Sequence, residues 1–226
     1  MNRLKSGLLT VRAIAAFLDL VKHPDHLDRV FAIADAMSPQ RRDILEMMRD
    51  HYAKDPRGAR ALREQRRLVI RLEDLVSLPA GTLGRAFADH MRANGLDPAA
   101  IPTLQAPGEL EFLRAHFYET HDVWHAVTGF TTDVAGELGL QAFYAAQGPG
   151  GLPLTLLAMG LLNTAIYRQD EREVRLDAIT RGWQMGRRAR LLFGVRWDEL
   201  WARPIDEVRE MLGVEPFAPP AMAAAA

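Results

Sequence analysis

Apolar residues recur every three to four positions along most of the chain, and this spacing predicts helices rather than strands. Cap residues and Gly or Pro breaks give their ends. The predicted helices span residues 6–21, 25–36, 41–52, 82–94, 112–129, about 132–146, 153–167, 170–193, 197–201 and 204–212. We therefore predict an all-α, single-domain multi-helix bundle over residues 1–214, followed by a disordered tail at 215–226.

Two of these segments have unusual patterns. Residues 153–167 are apolar nearly all round, which predicts a helix in the central core or in a channel wall. In the next helix Ala178, Gly182 and Gly186 recur every fourth residue, a strip of small side chains that permits close approach of another helix. No stretch reaches the ~20 uninterrupted apolar residues of a transmembrane helix, so none is expected. The N-terminal 30 residues are interpreted as part of the fold rather than as a targeting segment.

The amino-acid composition limits the kinds of partner and metal site that the chain can have. The formal net charge of the 226 residues is −1 at pH 7, which gives no general attraction to nucleic acid. The chain has no cysteine, so any metal site must use histidine and carboxylate ligands. The one strongly basic segment is 54–71, where Arg60, Arg63 and Arg67 are expected on one helix face. That face could lie against anionic lipid, contact a partner, or simply be solvated.

Histidines and carboxylates gather at one place, His121-Asp122-Val123-Trp124-His125, with Glu137 twelve residues later. A helix advances about 100° per residue, so His121 and His125 share a face. If the next helix packs antiparallel, the Glu137 carboxylate can reach the pair. Two imidazoles with one or two carboxylates from facing helices predict a divalent-metal site. A hydrogen-bonded core histidine and a surface acid are the less specific interpretation.

The role of Asp122 stays open at this level. The pattern is similar to the His-Glu-x-x-His of zinc proteases, in which the acid is the general base. Here the acid is one methylene shorter and could be a ligand, a base or a partner of a ligand. His90, alone on the helix 82–94, is interpreted as structural.

Several motifs together resemble the coenzyme Q biosynthesis protein 4 family. They are the His-Asp-x-x-His motif with its downstream Glu, HDVWHAVTG from His121, LPAGTLGRAF from Leu78, and the C-terminal block 182–212. The resemblance covers roughly residues 70–214. It implies a metal held by His121, Asp122, His125 and Glu137, a mostly helical fold, and an apolar channel for a polyprenyl chain. It also implies action on the ubiquinone head group, where the ring carboxylate is replaced by hydroxyl.

The resulting hypothesis is a lyase: a metal-dependent oxidative decarboxylase of a polyprenyl-hydroxybenzoate, with His121 and Asp122 in catalytic roles. Zinc is the first choice of ion, with iron, manganese, cobalt or magnesium as alternatives, and with zinc the oxidant must come from elsewhere. Arg181 is the first candidate for binding the substrate carboxylate.

Two other functions stay open. The first is a His-Asp phosphohydrolase that would add His116 or His90 and Asp170 or Asp177 as ligands. The second is a non-catalytic prenyl-lipid scaffold for quinone-biosynthesis enzymes. The expected partners are a polyprenylated quinone precursor, a membrane surface, other quinone-biosynthesis proteins and a second copy in a homodimer, without nucleic acid. The expected location is cytoplasmic and peripheral on the inner membrane, on the matrix side in a eukaryote.

Overall fold

The computed structural model describes residues 19, 21–23, 42–98 and 104–217. Across these ranges the regular elements are helical, joined by turns and one isolated bridge between Thr82 and Pro204. Nine α-helices are α1 Arg42–Tyr52, α2 Pro56–Glu64, α3 Leu72–Val76, α4 Leu83–Ala93, α5 Glu109–Thr128, α6 Val134–Gln147, α7 Gly151–Tyr167, α8 Arg172–Arg188 and α9 Ile205–Leu212. The all-α prediction is confirmed for this part of the chain. The predicted helix 6–21, apart from Asp19 and Val21, and the predicted helix 25–36 lie outside it.

Helices α6 and α8 pack against each other more closely than ordinary side chains allow. A Cβ atom added to Gly182 would lie 1.9 Å from the carbonyl oxygen of Gly139, and one added to Gly186 would lie 2.7 Å from that of Phe143. The two backbones are therefore in direct contact, as the strip of small residues predicts. This contact fixes α6, the helix that carries Glu137.

The turn between α5 and α6 is short, and a capping residue defines each of its ends. Helix α5 ends at Gly129, whose φ of 77° favours glycine and whose N–H donates to the His125 carbonyl. Asp133 begins α6, because its side chain accepts a hydrogen bond from the Gly136 N–H at 2.8 Å. With only a few residues between the two caps, the first turn of α6 lies beside the last turn of α5.

Helix α7 is not a central core helix. Its buried residues are Met159, Gly160, Asn163 and Thr164. The opposite side carries Leu154, Leu161, Leu162 and Ile166, which are 42–60% exposed. One apolar side of the helix packs on the protein, where Gly160 contacts Leu138. The other apolar side faces outward. None of the described helices is both long and apolar enough to cross a membrane.

The basic segment does not form a single helical face. Helix α2 ends at Glu64, and Gln65 then adopts a left-handed conformation, φ 49°. Arg67 consequently lies beyond the helix, where it pairs with Glu119 of α5. Arg66 pairs with Asp198, and Arg60 donates to the Gly194 carbonyl. These arginines join separate parts of the fold, so the prediction of one face with Arg60, Arg63 and Arg67 is wrong.

The predicted tail begins too early. Phe217 is 9% exposed, its ring stacks on Phe130 at 4.9 Å, and its N–H donates to the Thr128 carbonyl at 2.7 Å. Phe217 therefore packs on the end of α5, although Glu215 and Pro216 before it are exposed. Residues 218–226 lie outside the described part of the chain.

Candidate metal centre

Three of the four motif side chains converge between α5 and α6. His121 and His125 stand one turn apart on α5, and Glu137 reaches them from the first turn of α6. One ligand atom from each lies within 4.8 Å of the other two. The His125 Nε2 atom is 3.1 Å from Glu137 Oε1 and 3.3 Å from His121 Nε2, and the His121 Nε2 to Glu137 Oε1 distance is 3.9 Å.

These separations fit a first-row divalent ion. At metal–ligand distances of about 2.1 Å, neighbouring donors lie about 3.0 Å apart in octahedral and about 3.4 Å apart in tetrahedral geometry. Two of the three distances fall in that range. The third is wider, but the His121 and Glu137 side chains are 32% and 27% exposed, so both have room to adjust. Two imidazoles and a carboxylate are also a donor set that suits zinc and non-haem iron.

The hydrogen bonding of His125 leaves one nitrogen for a cation. Its Nδ1 lies 3.0 Å from the Phe130 carbonyl, which can only accept, so Nδ1 carries the proton. In the neutral ring Nε2 then presents a lone pair towards the Glu137 carboxylate. Two acceptors at 3.1 Å repel unless a proton or a cation lies between them. The buried side chain of His125 is therefore held in the tautomer that binds metal through Nε2.

His121 has an equivalent support. Its Nδ1 lies 3.3 Å from the Tyr144 hydroxyl, and the two rings stack at 6.0 Å. Tyr144 is itself stacked on buried Trp124 at 4.3 Å. Burial raises the pKa of Tyr144 well above 10, so the hydroxyl keeps its proton at neutral pH. An aromatic stack thus orients His121 with Nε2 towards Glu137.

The charges of the site follow from these contacts. Burial alone would raise the pKa of Glu137, but hydrogen bonds from His121 and His125 lower it far below its usual range. Burial lowers the pKa of His121, and the Glu137 hydrogen bond and charge outweigh that and raise it. The site therefore keeps an ionised carboxylate at neutral pH and attracts positive charge, whether a proton or a metal ion.

The other predicted site residues lie elsewhere. Asp122 is half-buried beside the centre and its charge raises the pKa of His121, but it is not one of the three converging ligands. Its ligand or base role stays a prediction. Arg181 is exposed, pairs with Asp177 at 2.9 Å, and lies over the Phe217 ring. No contact of Arg181 with the three converging residues is observed, and its substrate-binding role also stays a prediction.

His90, interpreted from the sequence as structural, lies beside the centre but is not one of the three converging residues. His90 of α4 stacks on His125, with ring centroids 5.6 Å apart and planes 18° apart. Burial lowers the pKa of His90, and the charges of all four motif residues also act on it. A single histidine in an otherwise ordinary helix gives no signal of this, because the contact depends on how α4 packs against α5.

The ligands of the phosphohydrolase hypothesis do not assemble. His116 is buried and accepts a hydrogen bond from the Gly194 N–H, and burial, followed by the Arg67 charge, lowers its pKa to about 4. Asp170 pairs with Arg168 and Asp177 with Arg181. Of the four extra ligands considered, His90 lies beside the centre but outside the group of converging ligand atoms.

Fold and site together define a helical protein with a two-histidine, one-carboxylate group between adjacent helices. The sequence model of the family described as coenzyme Q (ubiquinone) biosynthesis protein Coq4 matches residues 2–218. The chain belongs to this family, and the resemblance deduced from its motifs is confirmed.

Known relatives agree with that assignment. The chain is 32% identical over 177 residues to the mitochondrial ubiquinone biosynthesis protein COQ4 homolog of Rattus norvegicus, covering 76% of this chain and 66% of the rat protein. It is 31% identical over 223 residues to the mitochondrial coq4 protein of Aspergillus niger, covering 95% of this chain and 73% of that protein. The chain thus spans slightly less than two thirds of the rat protein.

A solved structure shows the same fold. A protein of Nostoc punctiforme, provisionally named as a ubiquinone biosynthesis protein, is 30% identical to this chain with a TM-score of 0.78. The match covers 91% of this chain and 98% of that one. The helical architecture of this chain is therefore shared with the Nostoc punctiforme protein.

Proposed function

We propose that this ubiquinone biosynthesis protein removes the ring carboxylate of a polyprenyl-hydroxybenzoate and replaces it by hydroxyl, at the His121–His125–Glu137 centre. The observation that carries the proposal is the convergence of these three side chains within 4.8 Å. The family assignment supplies the pathway. The decarboxylation itself is our proposal.

The reaction is a two-electron oxidation. One carbon–carbon bond breaks and carbon dioxide leaves, while one carbon–oxygen bond forms to the oxygen of a water molecule. The two electrons and two protons released pass to dioxygen, the oxidant that we propose, which leaves as hydrogen peroxide. A divalent ion bound at the centre would supply Lewis-acid charge for the substrate oxygens. His121, His125 and Glu137 would hold that ion, zinc or another of the first-row metals.

Asp122 is the proposed base. It lies next to His121 on α5, is half-buried, and its charge raises the pKa of His121. We propose that its carboxylate takes the proton of the head-group phenol. The resulting phenolate would feed electron density into the ring towards the carbon that bears the carboxylate, which favours loss of two electrons from the ring to the oxidant. Arg181 remains a weaker proposal for binding the carboxylate, since it contacts none of the three converging residues.

The test is turnover by the purified chain. Metal-depleted and metal-reloaded protein would be incubated with 3-geranyl-4-hydroxybenzoate in air, and the products followed by mass spectrometry. We expect carbon dioxide and a ring hydroxylated at the former carboxylate position from reloaded wild type, and neither from Glu137→Gln. Unchanged substrate with every metal tried, or equal turnover by Glu137→Gln, would exclude the proposal.

We further propose that the outward face of α7 contacts the membrane that holds the substrate. Four large aliphatic side chains on this helix are 42–60% exposed: Leu154, Leu161, Leu162 and Ile166. Exposed apolar patches of this kind mark membrane or partner surfaces. Peripheral attachment on an inner membrane would give the centre access to a polyprenylated precursor, whose tail would occupy the proposed apolar channel.

Vesicle flotation tests this surface. Leu161→Asp should reduce the vesicle-bound fraction, whereas Val69→Asp, at a residue 75% exposed elsewhere, should not. If Leu161→Asp instead splits a dimer and leaves flotation unchanged, the face belongs to the proposed homodimer. Association with other quinone-biosynthesis proteins is likewise a proposal.

The same α7 face favours a second function, a lipid-binding scaffold with a structural metal. Copurified prenyl lipid, absence of turnover and rescue of a quinone-deficient strain by Glu137→Gln would together favour that function over the enzyme.

A further inference from the structure

His90 lies at the edge of the metal centre without a hydrogen-bonding partner for its buried nitrogen. Its Nε2 atom is buried and forms no hydrogen bond within the described part of the chain. Burying a polar atom unpaired costs about 1–3 kcal/mol, so an unpaired nitrogen beside a candidate site points to a ligand.

The position of this ring is fixed from two sides. The ring lies nearly parallel to that of His125, at 5.6 Å. Asn94, at the end of the same helix, donates to the His90 carbonyl at 2.8 Å and accepts from the Thr132 hydroxyl at 2.7 Å. This link ties the end of α4 to the loop before α6. His90 is therefore held relative to both helices of the centre.

His90 is not one of the converging ligands. The group of side chains within ligand distance of one another contains His121, His125 and Glu137, and no nitrogen of His90. His125 is fully buried, whereas His121 and Glu137 are partly open to solvent. His90 is therefore a hydrogen-bonding group beside the centre that the three converging side chains leave unused.

We propose that His90 is a substrate-binding residue, whose Nε2 hydrogen-bonds the carboxylate of the hydroxybenzoate head group. This inference rests on the proposed function. It assigns to α4 a part of the site that the His-Asp-x-x-His motif does not contain. It also assigns the carboxylate contact to a residue beside the centre, whereas Arg181 pairs with Asp177 at the surface.

Binding measured by calorimetry on zinc-loaded protein tests the inference. The probes are 3-geranyl-4-hydroxybenzoate and 2-geranylphenol, which lacks the carboxylate. His90→Phe keeps a ring to stack on His125 and should weaken binding of the benzoate about tenfold, with binding of the phenol unchanged. His90→Gln should restore part of the loss. His51→Gln, at a histidine bonded instead to the Gln147 carbonyl, is the matched control.

Zinc affinity and thermal stability are measured on the same variants, and both should stay at wild-type values in His90→Phe. Equal benzoate affinity in wild type and His90→Phe would overturn the inference alone. A loss of zinc affinity in His90→Phe would overturn it too, since His90 would then act on the ion. If wild type binds neither the benzoate nor the phenol, the inference fails together with the proposed function.

Discussion

His116 and His121 lie on the same helix, five residues apart, and have opposite properties. His116 faces Phe112 and Phe193, where burial lowers its pKa to about 4. His121 faces Glu137, which raises its pKa despite burial. Residue type and helix are the same in both cases, so the difference lies in the carboxylate delivered by α6. A histidine on this helix becomes a candidate metal ligand because of what packs opposite it.

Removing the Glu137 carboxylate should cause the largest loss of zinc affinity. Glu137→Ala leaves two imidazoles and should lower zinc affinity at least about 1,000-fold, beyond the 10–100-fold typical of residues that only support a ligand. Competition with a chromophoric chelator measures the affinity. Glu111→Gln, at an exposed acid in the first turn of α5, should bind zinc as wild type does. Wild-type affinity in Glu137→Ala would mean that Glu137 is not a ligand.

His116 should make the free energy of unfolding depend on pH in the acid range. The pKa of His116 is lower in the folded protein than the ordinary 6.5, so folding favours its neutral form. Its stabilising contribution is complete above about pH 6.5 and is lost as the pH falls towards 4, by about 3 kcal/mol at most. Urea unfolding between pH 7 and 4 measures the loss. His116→Phe, which suits the aromatic surroundings, should lack this part of the pH dependence. An identical pH profile in the variant would contradict the prediction.

In the metal-free protein, His121 should show the opposite pH behaviour to that of His116. Because the folded-state pKa of His121 is raised, its protonated form is favoured in the metal-free protein, and that stabilisation disappears as the pH rises through this pKa. Zinc must displace the proton, so zinc affinity should fall about tenfold per pH unit below it. Calorimetry at pH 6 and 8 in buffers of different ionisation enthalpy measures both affinity and proton release. If zinc affinity were the same at pH 6 and pH 8, zinc binding would not displace a proton from a histidine.

A smaller loss of zinc affinity is expected when Tyr144, which orients His121, is changed. Tyr144→Phe removes the hydroxyl 3.3 Å from Nδ1 but keeps the ring stacked on Trp124. Zinc affinity should fall about tenfold, as for other residues that orient a ligand. Tyr118→Phe, at a tyrosine on the same helix as the two histidines, serves as control. Equal losses in both variants would exclude a specific role for Tyr144.

Much of the fold can be predicted from the sequence because local rules determine it. Apolar spacing, the Asp133 cap and the Gly129 stop define α5 and α6, and the glycine strip predicts the close contact of α6 with α8. Helix α7 could not be placed in this way. An apolar sequence indicates burial or an exposed apolar surface equally, and only the packing distinguishes them.

The residues of the candidate site also differ in whether local sequence rules or the packing of helices determines their positions. His121, His125 and Glu137 were predictable because two lie one turn apart and the third follows a short turn. His90 was not predictable, because its contact with His125 joins residues 35 positions apart in the chain through the packing of α4. Arg67 shows the same limit, since a left-handed residue at Gln65 takes it off the helix and towards Glu119.

The most direct test is the metal content of the protein purified without added metal. Elemental analysis of wild type should find close to one divalent ion per chain, and Glu137→Ala, His121→Ala and His125→Ala should each have almost none. An ion retained in all three variants, or a wild type that neither contains nor takes up a divalent metal, would contradict a metal centre between α5 and α6.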